Sequence, residues 1–462
     1  MPEHEFTTDT IVILGAGGDL VDRLLLPGLA SLLATAPGYA PELIGVERDG
    51  DADAWRDRVR AALAEAEGLD GARIDEVADR TGHRRLDVLD REGLVGLVES
   101  LPADSLLYFA LPPAVALEAV ELLDGAAAPD GLRLALEKPI GEDEASARAL
   151  NAAVARLVPE ERVFRVDHFV GDSLVRNLLA LRFANRVLEP VWNRDHVERV
   201  EIVADETIGL EGRGAFYDAT GALVDMVQSH LLLVAALVAM DEPNAIDHVE
   251  LRDLVAHALR ATRILGDDPV AASRRARYTA GRVDGEELPD YVDEPDVDPA
   301  NRTETLAEVV LEVRSQRWAG VPFVLRSGKA LDEKRKLVRL HWRRPPVVPR
   351  GLEGDPGANA LEVDLGTGGI RLELTTSGAG DPRILEPRAL TGRVGEPART
   401  PYGEVLGAML AGDPLLSVRG DVAERCWAIL QPVIDAWRAD EVPLDEYAAG
   451  SAGPEGWAPL PR

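Results

Sequence analysis

The sequence predicts two parts: an N-terminal α/β Rossmann-type dinucleotide-binding domain over residues 1–166, and a C-terminal α+β domain with a large mixed or antiparallel sheet over residues 167–462. Three observations predict it. A short β-branched run, Thr10 to Leu14 (TIVIL), stops at Gly15-Ala16-Gly17-Gly18 and leads into an apolar stretch with helical spacing. Strand, glycine turn and helix in that order open a dinucleotide-binding unit. Continuously apolar short runs then recur between helical segments to about residue 165, as in a parallel sheet covered on both faces. Beyond that point the strand candidates are alternating or β-rich, as in a sheet with one wet face.

In chain order, the first helix candidate is Leu24 to Leu33, and a second strand runs from Glu42 to Val46, ending at Glu47-Arg48-Asp49. Leu106 to Leu111 is a buried strand closed by Pro112-Pro113, and Leu132 to Leu136 another, closed by Glu137-Lys138-Pro139. In the second part the strand candidates are Val200 to Ala204, Ala307 to Val313, Lys336 to Trp342 and Leu361 to Leu374. His230 to Met240 is almost unbroken in apolar character and predicts a buried helix. The acidic, proline-bearing stretch from Asp284 to Asn301 predicts an exposed excursion, Ser417 to Trp437 an amphipathic helix, and the Gly/Pro-rich chain after Asp440 a loosely held end.

Composition narrows the function. A net charge of −31 over 462 residues disfavours nucleic acid and anionic membrane surfaces as partners, since both need clustered positive charge. No run approaches a membrane span, and Met1 to Thr10 lacks the basic start and apolar core of a signal peptide. One cysteine, Cys426, excludes a disulfide framework and a cysteine-built metal cluster, so no metal is expected and a cytoplasmic setting is. Only four of the 50 basic residues are lysines: Lys138, Lys329, Lys334 and Lys336. Codon bias explains the ratio, but an ammonium kept against it marks places where a broad guanidinium fork does not fit.

The glycine turn alone is a weak signal. Its glycines let backbone approach a pyrophosphate at a helix N-terminus. At the end of the second strand an acid would take a ribose 2′-hydroxyl and an arginine a 2′-phosphate. Glu47 and Arg48 stand side by side there, so the strand end does not choose between NAD and NADP. Two segments have catalytic character: Arg165-Val166-Asp167-His168-Phe169, and Asp225 to His230, with an acid and a histidine five apart. An imidazole is the natural base for a sugar hydroxyl near neutral pH, and a carboxylate behind it fixes the tautomer. Singly, each histidine is as well explained as a hydrogen-bonded core or surface group. Glu206 and the turn Glu211-Gly212-Arg213-Gly214 add carboxylates suited to a polyol.

These segments resemble the glucose-6-phosphate dehydrogenase family. The resemblance runs in order through Gly15-Ala16-Gly17-Gly18-Asp19-Leu20, Ala110-Leu111-Pro112-Pro113, Glu137-Lys138-Pro139-Ile140-Gly141, Asp167-His168-Phe169, Trp192-Asn193-Arg194-Asp195, Glu211-Gly212-Arg213-Gly214, Gln228-Ser229-His230, Thr303-Glu304-Thr305, Trp318 to Phe323 and Gly328-Lys329-Ala330-Leu331. It implies that His230 takes the C1 hydroxyl proton with Asp167 orienting it, and that hydride passes to the cofactor, NADP in preference to NAD. It implies sugar contacts from Lys138, Glu206 and Asp225, and phosphate contacts from His168 and Lys329. Gly15, Gly17, Gly18, Asp19, Leu20, Ala110, Pro112 and Lys138 would line the dinucleotide, Arg48 would meet its 2′-phosphate, and Pro139 would follow a cis bond. A homodimer or homotetramer is also implied.

The chain departs from the family at two places. The usual Asp-His-Tyr-Leu-Gly-Lys-Glu reads Asp167-His168-Phe169-Val170-Gly171-Asp172-Ser173, which loses a hydroxyl and turns a cation into an anion. A carboxylate about 4 Å from a phosphate repels it by roughly 1–4 kcal/mol per charge pair. Replacement cations would be Lys334, Arg335 or Arg176. The usual Ala-Lys-Arg-Lys after the glycine turn reads Val21-Asp22-Arg23-Leu24. Three readings stay open: a glucose-6-phosphate dehydrogenase with a rearranged phosphate pocket; a dehydrogenase of an unphosphorylated or amino sugar, with Asp172 facing the sixth carbon; and a non-catalytic nucleotide-binding or regulatory homologue.

Overall fold

Residues 6–457 are described by the computed structural model. They fold as two compact units. The first is built from Met1–Ser173, Pro243–Leu254 and Pro397–Arg425, the second from Leu174–Glu242, Val255–Glu396 and Cys426–Arg462.

In the first unit six parallel strands, β1 (Thr10–Leu14), β2 (Glu42–Glu47), β3 (Thr81–Arg85), β4 (Leu106–Phe109), β5 (Arg133–Leu136) and β6 (Val163–Val166), lie in the order β6-β5-β4-β1-β2-β3. Ser417–Val418 pairs antiparallel on the β6 edge. This is the doubly wound order, with its switch point between β1 and β4. Successive side chains of a strand point to opposite faces, and β1 divides accordingly. Ile11 and Ile13 join a core with helix Leu26–Ala34, Trp55 and helix Pro401–Ala411, whereas Val12 and Leu14 join one with Leu94, Val98, Ala116, Val120, Leu150 and Val154. Both faces are therefore covered, which is why β1 and β4 read as apolar runs and every residue of β5 and β6 is buried, Arg133 and Arg165 included. The first helix begins earlier than its apolar spacing predicts, with a π-helical turn at Val21–Leu25.

The second unit is organised on a ten-stranded mixed sheet. Val197–Asp205 runs through its middle, parallel to Pro322–Gly328 and antiparallel to Arg335–Trp342. The expected strand from Leu361 to Leu374 is a hairpin, Ala360–Asp364 and Gly369–Ser377. Asp364 breaks it, because its Oδ1 accepts the N–H groups of Gly366 and Thr367 and closes the turn. The chain after Asp440 is also better held than its Gly/Pro content predicts. Leu444–Ala448 joins the sheet parallel to Ser273–Thr279, and the buried Tyr447 hydroxyl donates to the Lys329 carbonyl at 2.6 Å. Within the acidic excursion, Tyr291 is buried and donates to Asp218 Oδ1 at 2.8 Å, while Asp298 N and Asn301 Nδ2 donate to Asp218 Oδ2. Among the described residues one helical segment, Gly214–Ala239, is long and apolar enough to cross a membrane, which the sequence did not suggest; its 18-residue apolar window has mean hydropathy 1.9 and is 78% buried inside the protein.

Candidate active site

In the first unit the site residues collect at the carboxyl ends of β1, β2, β4, β5 and β6, where ligands bind open α/β sheets. Gly15 has φ +84°, and a Cβ there would collide with the Ala110 carbonyl oxygen, so the loop after β1 can cross the end of β4 only as glycine. A Cβ at Gly17 would overlap the Glu47 carboxylate. This close-packed backbone cradle at the switch point fits a dinucleotide pyrophosphate. Asp19 sits 3.5 Å from Arg23 on the exposed side of the turn, and Leu20 packs partly against the core. Asp22, the acidic change after the glycine turn, is held by Arg58 at 2.6 Å. Pro112 caps helix Pro113–Leu122.

The end of β2 separates its two competing residues. Glu47 turns in toward the glycine turn and is met by His83 Nε2, 3.1 Å from Oε1, with 19% of its side chain exposed. Arg48 is exposed, its carbonyl accepting from Arg85 Nε at 2.9 Å.

At the end of β5, Lys138-Pro139 is a cis peptide bond, as the resemblance implies. The preceding Glu137, to which the resemblance gives no role, organises a buried cluster. It accepts from the Tyr108 hydroxyl, and the Tyr402 hydroxyl lies 3.4 Å from both its oxygens. Burial pushes its carboxyl up to about 7 against the two hydroxyl donors and Lys138. The Tyr402 ring stacks on His168, centroids 5.9 Å apart, and the His168 ring meets Phe169 edge-on at 5.2 Å. Asp167 caps the short helix His168–Gly171, its Oδ1 accepting from Phe169 N at 3.0 Å. Phe169 and Asp172 are both buried, Asp172 with 6% of its surface exposed. The acid that replaces the family's lysine is thus an interior group.

In the second unit Asp225 and His230 lie on one π-helical turn, Leu223–Leu231. Five residues separate them, about one π turn, so both fall on the same side of the helix; His230 is fully buried. Glu206 forms an ion pair with Lys329, whose Nζ stands 5.2 Å from the centre of the Tyr217 ring. The Tyr217 hydroxyl is pushed well above the usual tyrosine range, first by burial and then by the charges of Asp225, Glu304 and Glu206. Three residues singled out in the sequence, Glu206, Asp225 and Lys329, are therefore brought together around a tyrosine that was not. Lys334 is exposed, and Arg335, another proposed replacement cation, is held by Asp205.

Tyr217, Tyr402 and His83 carry no motif around them and were missed. Tyr217 follows Gly214 by three residues, whereas Tyr402 and His83 lie far along the chain from the segments they meet.

A dinucleotide cradle on a doubly wound sheet in the first unit, and in the second a buried histidine on the same helical turn as Asp225, fit an oxidoreductase acting on the CH–OH group of its donor. Comparison with known proteins specifies it further. The family model for the glucose-6-phosphate dehydrogenase NAD binding domain matches residues 12–177, and that for the C-terminal domain of the same enzyme matches residues 179–460. The chain belongs to the glucose-6-phosphate dehydrogenase family. It is 36% identical over 471 residues to glucose-6-phosphate 1-dehydrogenase of Gluconobacter oxydans, covering 96% of this chain and 94% of that one. The Mycolicibacterium smegmatis enzyme is likewise 36% identical, with the same coverage. Among solved structures, glucose-6-phosphate 1-dehydrogenase from Mycobacterium avium superposes with TM-score 0.85 at 34% identity, covering 98% of this chain and 96% of that one. A glucose-6-phosphate dehydrogenase in complex with glucose-6-phosphate superposes with TM-score 0.86 at 28% identity and the same coverage.

Proposed function

We propose that this chain oxidises C1 of glucose 6-phosphate to the lactone, using NADP and, less well, NAD, as a homodimer or homotetramer in the cytoplasm. The observation that carries the reading is the second unit's cluster: the buried His230 and the half-buried Asp225 on one π turn, with Tyr217 near Asp225 and against the Glu206–Lys329 pair. A nicotinamide dinucleotide, when bound, would supply the acceptor for the C1 hydride. His230 removes the C1 hydroxyl proton, and Asp167 is assigned as the positioning residue that holds that imidazole in one tautomer and stabilises its charged form. Asp225, Glu206 and Lys138 hydrogen-bond the sugar hydroxyls. Lys329 and His168 hold the phosphate, with Lys334 a further cation at its rim. Gly15, Gly17, Gly18, Asp19, Leu20, Ala110, Pro112 and Lys138 seat the dinucleotide, and Arg48 pairs with its 2′-phosphate.

Asp172 favours one second reading. It is buried rather than turned to water, and a buried carboxylate suits a hydroxyl or ammonium on the sixth carbon better than a phosphate. Replacement of His230 by Asn tests the mechanism common to both readings. The expected result is a fall in kcat of about 10²–10⁴ with dinucleotide affinity unchanged. An intact rate removes His230 as the base.

A further inference from the structure

The tripeptide Thr303-Glu304-Thr305 has no assigned role, yet its contacts run to both halves of the second unit's polar cluster. On one side, Glu304 Oε1 accepts from Leu223 N at 2.9 Å, and its carbonyl accepts from Ala222 N at 3.3 Å. Leu223 is the first residue of the π turn that carries Asp225 and His230. Just before it the helix kinks at Gly221, with φ 62° and ψ 179°, a backbone region essentially reserved for glycine. A Cβ at Gly221 would overlap both oxygens of the Glu304 carboxylate, so the kink and the acid are fitted to one another. The acid lies at a helix start, where negative charge is favoured, although burial pushes its carboxyl up to about 7 against the N–H donors and Arg275. On the other side, the Thr305 carbonyl accepts from Lys329 N at 2.9 Å. Thr305 Oγ1 lies 2.8 Å from the Tyr447 hydroxyl, which itself reaches the Lys329 carbonyl.

We infer that Glu304 is a positioning residue for the oxidation, capping the helix of His230 and Asp225 while Thr305 fixes the Lys329 backbone, so that one tripeptide sets the spacing between base and sugar-binding pair. The inference rests on the assignment of His230 proposed above. A buried capping carboxylate whose neighbour is glycine is more than general stabilisation requires; a plain N-cap leaves its helix regular and needs no Gly221.

The test uses the full-length protein with Glu304→Ala, Glu304→Asp and Glu304→Gln. Ala removes the acceptor, Asp shortens it, and Gln keeps an oxygen that Leu223 N can reach without the charge. The expected result is a fall in kcat of about 10²-fold for Ala and Asp, the scale of a misplacement near 1 Å. The dinucleotide Kd stays within about twofold, because the cradle lies in the other unit, and Gln recovers kcat to within about threefold of the parent. Equal losses in Gln and Ala assign the effect to charge and overturn the inference. So does a lowered melting temperature with unchanged kcat per folded molecule, which is the mark of a merely structural residue. If Ala does not fold, the comparison of Asp with Gln decides by the same criteria. His230→Asn is measured alongside: activity surviving in it refutes the underlying assignment, whereas its loss with Glu304→Asp unaffected refutes only the positioning role.

Discussion

Replacing Glu47 by Gln should raise affinity for NADP and lower it for NAD. The Glu47 carboxylate closes over Gly17, where an acid at the end of β2 meets the adenosine ribose, and His83 holds it there. A unit charge about 4 Å from a 2′-phosphate is repelled by roughly 1 kcal/mol at the dielectric of water and roughly 4 kcal/mol at an effective dielectric of 20. With 19% of the side chain exposed, the lower half of that range applies, about 1–2 kcal/mol. The NADP Kd should therefore tighten by roughly 5- to 30-fold. For NAD, a charge-assisted hydrogen bond becomes a neutral one, so its Kd should weaken by about fivefold. Titration calorimetry with each oxidised dinucleotide, without sugar, measures both, and the NADP gain should shrink as salt is raised. Arg48→Ala should do the reverse, weakening NADP far more than NAD. If Glu47→Gln shifts both Kd values by the same factor, or neither, Glu47 does not face the ribose and the reasoning fails.

Three other perturbations follow from the same geometry. Asp172→Asn should lower the KM for glucose 6-phosphate by about fivefold or more, by removing a buried negative charge, while leaving that for glucose unchanged; equal KM values would place Asp172 away from the phosphate. Glu137, raised from 4.5 to about 7 in the folded chain, contributes stability that is complete below the unfolded value and is lost as pH rises through about 7. The unfolding free energy of Glu137→Gln relative to the parent, from denaturant titration, should accordingly improve between pH 5 and 8, by an amount on the order of 2–3 kcal/mol; a constant difference would mean that Glu137 does not titrate there. Phe169→Tyr should lower the melting temperature, since the ring is buried and its new hydroxyl needs a partner.

The doubly wound sheet was legible because strands buried on both faces leave an unmistakable apolar run, and because the glycine turn ties β1 to a known geometry. β3, Thr81–Arg85 (TGHRR), was not, since an edge strand with polar side chains carries no such signal. The hairpin at Asp364 and the late strand Leu444–Ala448 were hidden by side-chain-to-backbone closure and by edge pairing, neither of which changes hydrophobic periodicity. Much of the candidate site was legible as residue types at telling spacings: Asp225 and His230 read as five apart, and the π turn gives that spacing its meaning. Tyr217, Tyr402 and His83 meet Lys329, His168 and Glu47 across the fold, and no local pattern could reveal them.

The most direct test is a steady-state assay of reduced dinucleotide formation with glucose 6-phosphate, glucose and glucosamine, each with NADP and NAD. Turnover of glucose 6-phosphate to the lactone, faster with NADP and measurable with NAD, is expected. Absence of glucose 6-phosphate turnover by protein that binds the dinucleotide would contradict it, whether or not glucose or glucosamine reacts.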